Sequence, residues 1–267
     1  DPWASRSGFQ AMGRLKVRQR TLVYWSMFCL VMVIAQASAL ATVVVLAPHP
    51  DDGEASCGGL IANTVAAGEN VVILTMTGGE LGVWGKTHDE ARAIRSGEAL
   101  SAAAVLGATV EFFGAVDGSL AVDAVSADKL AAILLRIRPT VVLAPWPLDV
   151  HADHQATGLL AWRVFQDKRL AFALYFYETS NSPHTKTFQF IPTDYVDITD
   201  VMKKKQDAIY QHVTQGPADW FGMYVNMARV HGYETDVGFA EAYSKARNSS
   251  GMGGRAAVVG KTLGERK

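Results

Sequence analysis

The stretch TVVVLAPHPDDGE, residues 42–54, joins a short apolar run to a histidine and two adjacent aspartates. The run TVVVLA, residues 42–47, is rich in β-branched residues and lacks polar alternation, which predicts a strand buried on both faces. Two carboxylates beside an imidazole repel one another unless a cation offsets their charge. The end of this strand is therefore the first candidate functional site of the chain.

Apolar runs alternate with helical patterns along the rest of the chain. Short apolar runs predict further strands at 70–77, 109–115, 140–146 and 170–178. Helical spacing predicts helices at 56–69, 89–108, 126–139, 151–166, 194–215 and 217–230. Strands that alternate with helices indicate right-handed βαβ units. We therefore expect an α/β fold with a mostly parallel sheet that helices cover on both faces.

A second histidine–carboxylate cluster, DVHADH, follows the fourth predicted strand at residues 149–154. Functional sites in parallel α/β sheets lie at the carboxyl ends of the strands, so the topology could bring the two clusters together. His49 and Asp52 are three residues apart and could bind one ion, with His154 as the third ligand. Neutral imidazole and carboxylate suit zinc. The alternative is a histidine that only makes hydrogen bonds in a loop.

Several motifs resemble the PIG-L/LmbE-type zinc-dependent N-deacetylases, which include the de-N-acetylase of N-acetylglucosaminyl-phosphatidylinositol. These motifs are HPDD (49–52), SCGG (56–59), TGGE (77–80), IRSGEALSAAAVLG with Arg95 and Glu98, HADH (151–154), KQDAIYQHVTQ with Lys205, Ala208, His212 and Gln215, and GFAEAY with Glu241. The chain departs from the family pattern twice. It has HPDDGE where family loops often read HPDDE, and HADH where HPDH is preferred. Neither change removes a candidate ligand.

The resemblance implies a Rossmann-like three-layer sandwich that hydrolyses the N-acetyl group of a glucosamine-type sugar or glycoconjugate. His49, Asp52 and His154 match the family's metal ligands, for Zn²⁺ or another divalent transition metal. Asp51 matches the general base. Two alternatives are an amidase for another sugar-linked amide and a non-catalytic carbohydrate-binding module on the same fold.

His151 matches the family's histidine that stabilises the oxyanion or protonates the leaving amine. Asp153 or Asp149 could orient His151 and raise its basicity, which makes Asp153 a candidate catalytic residue. The alternatives are that Asp153 caps the following helix and that Asp149 is a turn residue.

Two further residues are candidates for substrate binding. Arg95 matches the family residue that holds the substrate, and its alternative is a surface ion pair with Glu98 or Glu90. Trp84 lies in a glycine-rich loop and could stack on a sugar ring, or it could fill the core.

Residues 1–40 have the order of a secretory signal peptide, with basic residues, the apolar run 22–35 and then small residues. We expect cleavage and export; an uncleaved anchor helix is the alternative. The deacetylase-like domain is predicted at 41–246, followed by a disordered, glycine-rich tail at 247–267. The net charge of −1 argues against a general nucleic-acid binder. After cleavage we expect a small amino-sugar substrate and no membrane contact, while the oligomeric state stays open.

Overall fold

The computed structural model describes residues 41–167, 169–179 and 189–247. The predicted signal segment and the predicted tail, apart from residue 247, lie outside the described residues. Within the described ranges, no helix is both long and apolar enough to cross a membrane.

A seven-stranded sheet with the order β3-β2-β1-β4-β5-β7-β6 forms the centre of the fold. Its strands are β1 (Thr42–Ala47), β2 (Asn70–Thr77), β3 (Thr109–Ala115), β4 (Val141–Pro145), β5 (Ala173–Tyr177), β6 (Asp194–Asp197) and β7 (Ala240–Lys245). The first five strands pair in parallel, and β7 pairs antiparallel with β5 and β6. This confirms the predicted α/β fold with a mostly parallel sheet.

Helices cover both faces of the sheet. They are α1 (Asp52–Ala66), α2 (His88–Leu106), α3 (Ala124–Ile137), α4 (Ala152–Phe165), α5 (Met202–Ile209) and α6 (Pro217–Thr235). Side chains of β1 alternate between two cores: Val43 and Val45 pack with α1 and α2, whereas Val44 and Leu46 pack with α3 and α4. Period-two alternation with apolar residues on both faces is what a central parallel strand requires. The result is a three-layer sandwich.

Local sequence explains most helix boundaries. Thr87 and Glu90 form a reciprocal capping box at the start of α2. Helix α3 is capped by Asp123, whose side chain accepts the backbone N–H of Ser126. It ends where Arg138 adopts a left-handed conformation, with φ of 57°, just before a proline that disfavours helical geometry at this position.

The prediction of one helix over 194–215 was wrong. This segment contains strand β6, two 3₁₀ turns and the short helix α5, while β7 was not predicted at all. Each strand finds its partner far away in the chain, since β6 and β7 pair with each other. Such pairing leaves little local periodicity for a sequence reading to detect.

The strand order reverses between β1 and β4, which lie side by side in the middle of the sheet. Such a switch point opens a crevice at the carboxyl ends of the strands. The segment HPDD leaves β1 at this edge, and DVHADH follows β4.

Candidate active site

Three predicted metal ligands converge at the switch point. His49 Nδ1 lies 3.1 Å from Asp52 Oδ2, His154 Nε2 lies 3.2 Å from the same oxygen, and the two nitrogens are 3.3 Å apart. A tetrahedral zinc with ligand bonds of about 2.0–2.1 Å separates its donor atoms by about 3.3–3.4 Å. The three buried side chains therefore fit a single divalent ion, although residues 49 and 154 are far apart in sequence.

Two buried carboxylates orient His49 from behind. His49 Nε2 lies 3.2 Å from Asp117 Oδ1 and 3.2 Å from Asp153 Oδ2. The Asp153 carboxylate also accepts the backbone N–H groups of Gly118 and Leu120, at 2.7 and 3.1 Å. A ligand histidine whose outer nitrogen donates to a carboxylate is fixed in tautomer and ring orientation. Because these carboxylates occupy Nε2, the Nδ1 atom of His49 is the one that can bind a metal ion.

The side chains of Asp153 and Asp149 do not orient the ring of His151, although the sequence predicted this role for one of them. The Asp153 side chain contacts His49, and only its backbone N–H donates to His151 Nδ1, at 3.2 Å. Asp149 Oδ1 accepts the backbone N–H of His151 at 2.9 Å and lies 3.3 Å from His154 Nδ1. Asp153 is therefore a positioning residue for His49, and Asp149 is one for His154. The residue that caps α4 is His151 and not Asp153.

The electrostatics of this cluster favour a cation between its members. Burial alone would lower the pKa of His154, but the charge of Asp52 and the contacts with Asp149 raise it to about 9. Burial likewise opposes the charged form of His49, whereas hydrogen bonds to Asp117 and Asp153 raise its pKa well above the usual value. Metal ligands must be deprotonated, so metal binding would displace these protons and its apparent affinity would rise with pH.

Asp51 is held beside the ligand cluster by a strained backbone and a buried arginine. Its φ of 121° is a conformation that residues with a side chain rarely adopt. Arg95 Nη2 lies 3.2 Å from Asp51 Oδ2. The same guanidinium donates to Gly79 O at 3.0 Å and to Pro50 O. Arg95 thus ties the loop that carries Asp51 to the loop that follows β2.

The alternative of a surface ion pair for Arg95 is wrong. Its side chain is only 4% exposed. Glu98 instead accepts hydrogen bonds from Thr214, and Glu90 belongs to the capping box of α2.

Burial raises the pKa of Asp51 to about 6, against the opposing charge of Arg95.

His151 lies over the cluster, with its ring centroid 4.6 Å from that of His49 and 4.9 Å from that of His154. Partial burial, and then the charges of His49 and His154, lower its pKa. Its Nδ1 accepts the Asp153 N–H, which assigns the proton of the neutral ring to Nε2. His151 therefore offers one hydrogen-bond donor to the site.

A cavity of about 470 Å³ opens above these side chains. It is lined by His49, Asp51, Asp52, Ala55, Leu81, Gly82, Arg95, Asp117, Gly118, His151, His154, Gln215, Trp220 and Tyr224. Trp84 is not among these residues and its side chain is 97% exposed, so it does not fill the core either. Its predicted contact with a sugar stays a prediction that this structure does not support.

Of the lining residues that were not predicted as site residues, Asp117, Gln215, Trp220 and Tyr224 have polar or aromatic side chains. Asp117 follows β3 at the carboxyl edge of the sheet, and the rule that found the two histidine clusters could have found it. Trp220 and Tyr224 are four residues apart on α6, a spacing equally typical of core residues. Nothing local in the sequence links that helix to the cavity.

The remaining motifs build the frame of the site. Lys205 and Glu241 form a buried ion pair of 2.7 Å. Glu241 also accepts the backbone N–H groups of Gly59 and Leu60, both at 2.8 Å. A Cβ atom on Gly59 would lie 2.3 Å from the Ile198 side chain, which explains the second glycine of SCGG.

We expect Asp117→Ala to weaken metal binding by about 10–100-fold, because outer carboxylates that hold a ligand histidine contribute that much. The measurement is Zn²⁺ affinity by competition with a chromophoric chelator. Asp123→Ala is the matched control, since Asp123 is an exposed cap residue of α3. Equal affinities for both variants would show that Asp117 does not support the site.

The fold and the site together define an α/β protein with a candidate metal centre at the switch point of a parallel sheet. A sequence profile of the family described as PIG-L, GlcNAc-PI de-N-acetylase, matches residues 44–165. The structure is similar to that of a conserved protein from Thermus thermophilus, with 30% identity and a TM-score of 0.67, covering 78% of this chain and 95% of that one. The chain belongs to the PIG-L family.

Two curated relatives have different activities. Diacetylchitobiose deacetylase of Thermococcus kodakarensis is 29% identical over 189 residues, which cover 66% of this chain and 71% of that protein. The 4-oxalmesaconate hydratase of Pseudomonas putida is 29% identical over 194 residues, which cover 65% of this chain and 72% of that protein. The reaction of this chain must therefore be argued from its own site.

Proposed function

We propose that the protein is a metal-dependent N-deacetylase that hydrolyses the acetamide of an N-acetylglucosamine-type sugar or glycoconjugate. The observation that carries this proposal is the convergence of His49 Nδ1, Asp52 Oδ2 and His154 Nε2 beside Asp51, at the floor of an open cavity. Three protein ligands with an open position are typical of catalytic zinc sites. The deacetylase relative supports the choice of substrate.

His49, Asp52 and His154 would hold the divalent cation, and two imidazoles with one carboxylate are a ligand set found in catalytic zinc sites. When bound, such an ion acts as a Lewis acid that acidifies water and polarises a carbonyl group. Asp117 and Asp153 hold the ring of His49, and Asp149 holds the ring of His154, in the orientation that binding of the cation requires.

Asp51 would act as the general base. Its carboxylate is not one of the three converging donors, and Arg95 keeps it facing the cavity. It would accept a proton from the water that attacks the acetamide carbon. As the C–N bond breaks, the leaving nitrogen gains a proton, so that one water and one amide yield acetate and an amine.

His151 would stabilise the negative charge that develops on the carbonyl oxygen. Because Nδ1 accepts the backbone N–H of Asp153, the Nε2–H group is the donor of the neutral ring. One donor aimed at a developing oxyanion is worth about 10²–10³-fold in rate. His151 could also supply the proton for the leaving amine.

The experiment is acetate release from N,N′-diacetylchitobiose by the zinc-loaded protein. We expect turnover that a chelator abolishes and that stoichiometric Zn²⁺ restores, because the ligands are assigned to one ion. Metal content and unfolding temperature of the chelated protein serve as controls. Undiminished acetate release from protein shown to be metal-free would refute the metal-dependent reaction.

Three other functions would give different results. The hydratase relative raises the possibility that the site adds water to a conjugated double bond, which an absorbance change in an unsaturated acid would reveal. A binding module without catalysis would bind the sugar and release no acetate. Amide cleavage without acetate would point to another sugar-linked amide.

We also propose that the protein is exported, on the basis of the signal-like order of residues 1–40. An extracytoplasmic location would favour amino-sugars found outside the cell as substrates. Fractionation of cells that express the full chain, followed by N-terminal sequencing, tests both export and cleavage.

A further inference from the structure

The cavity contains one arginine among the described residues that line it, and that arginine is already engaged. Arg95 donates to Gly79 O and Pro50 O and pairs with Asp51, and its side chain is only 4% exposed. Asp51, Asp52 and Asp117 also line the cavity. These three carboxylates, together with Asp149 and Asp153 behind the histidines, outnumber the three positive charges of Arg95 and a bound divalent ion. An anionic substituent on the substrate would therefore meet no unpaired guanidinium here.

The outer wall of the cavity is aromatic and apolar. Trp220 is half-buried on the first turns of α6, and its Nε1–H donates to Gln215 O at 2.9 Å. The polar edge of the indole is thus satisfied within the protein, so that Trp220 offers a ligand mainly apolar ring surface. Its ring packs edge-on against Tyr224, with centroids 5.7 Å apart, which fixes its orientation.

A second apolar side chain lines the same cavity from another segment. Leu81 follows β2 and is 57% exposed, and its backbone N–H donates to Asp117 at 3.1 Å. Leu81 is thereby tied to the carboxylate that orients His49. Apolar surface beside a few fixed polar groups is typical of a small-molecule site. The carbon-bound hydrogens on the flat face of a pyranose match such a surface, whereas a phosphate or carboxylate does not.

We propose that this cavity selects an uncharged N-acetylated pyranose, whose apolar face packs on Trp220, and rejects the same sugar when it bears an anionic group. This inference rests on the proposed deacetylase function and specifies its substrate class. Trp220 is then the specificity-determining residue, acting on binding of the sugar ring and not on the chemical step.

The first test compares the variants Trp220→Ala and Trp220→Phe on N,N′-diacetylchitobiose. We expect Trp220→Ala to raise KM by about tenfold, which equals about 1.4 kcal/mol, with kcat changed less than about threefold because uniform binding is lost. Trp220→Phe should recover most of the loss. The matched control is Tyr233→Ala, which removes an aromatic ring that is 82% exposed on the same helix and outside the cavity lining. Unfolding temperatures identify variants that are merely unstable.

A binding measurement separates affinity from turnover. Calorimetric titration of the inactive Asp51→Asn protein with N,N′-diacetylchitobiose should give a Kd that Trp220→Ala raises by a similar factor. An unchanged Kd and KM in a folded Trp220→Ala protein would overturn the role of Trp220.

The second test compares N-acetylglucosamine with N-acetylglucosamine 6-phosphate. We expect kcat/KM to be at least about tenfold lower for the phosphate, because like charges brought together without a counter-ion are costly. The difference should narrow as ionic strength rises from about 0.01 M to about 0.15 M, since salt screens this repulsion. Equal or better turnover of the phosphate would overturn the charge selection while leaving the deacetylase proposal intact. Absence of acetate from every acetylated sugar would instead reject the proposed function itself.

Discussion

The Asp51→Asn variant is expected to lose about 10²–10⁴-fold in kcat, the usual contribution of a positioned general base. Asparagine keeps the size of the side chain and is among the residues that best tolerate positive φ, so the strained turn at residue 51 should survive. It cannot accept a proton from water. KM should change little, because the carboxylate is assigned to the chemical step and not to holding the sugar.

Metal binding should persist in this variant. The three donors that converge belong to His49, Asp52 and His154, and Arg95 stays anchored by the carbonyls of Pro50 and Gly79. Metal content should therefore equal that of the unaltered protein. A variant that retains both one equivalent of zinc and full turnover would refute the assignment of Asp51 as the base.

The pH dependence of kcat/KM is a second test of the role of Asp51. In the metal-free protein, burial raises the pKa of Asp51 to about 6. A base works in its deprotonated form, so kcat/KM should fall as pH drops through this pKa. A bound divalent cation favours the carboxylate, which places the acid limb at or below about pH 6. This limb should be absent from the residual activity of Asp51→Asn.

The sequence was sufficient to predict that the three candidate ligands lie together, because the relevant signals are local. An uninterrupted apolar strand followed by HPDD places His49, Asp51 and Asp52 at the carboxyl edge of a sheet. The second cluster at 149–154 follows a strand of the same kind, and parallel topology brings such ends together. Strand β1 was predicted with the bounds that the structure has, since β-branched runs that are buried on both faces have few alternatives.

What the sequence did not reveal depends on contacts between distant segments. The sequence predicted that Asp153 orients its neighbour His151, whereas the Asp153 carboxylate contacts His49. Asp117 was not predicted as a site residue, because its partner is a histidine on another loop. The aromatic wall on α6 required knowledge of where that helix packs, and no periodicity carries that information.

Lys205→Met is expected to destabilise the fold by about 3–5 kcal/mol, because it leaves the charge of Glu241 buried and unpaired. Both side chains are almost fully buried, at 2% and 3% exposure. For a domain of this size, each kcal/mol lowers the unfolding temperature by about 2–4 °C. The measurement is the free energy of unfolding in urea. Lys203→Met is the matched control on the same helix, since it removes an exposed i,i+4 pair with Asp207 worth less than about 1 kcal/mol.

A double variant distinguishes loss of the pair from loss of packing. Adding Glu241→Gln to Lys205→Met removes the unpaired charge at the loss of one hydrogen bond, since Gly59 and Leu60 donate to different carboxylate oxygens and glutamine keeps one of these oxygens. The double variant should therefore be more stable than Lys205→Met alone. If it is no more stable than Lys205→Met, the loss comes from packing of the lysine stem against Gly58 and not from an unpaired charge. Because Glu241 binds the middle of α1, whose first residue is the candidate ligand Asp52, loss of this pair should also lower the temperature at which a bound metal is released.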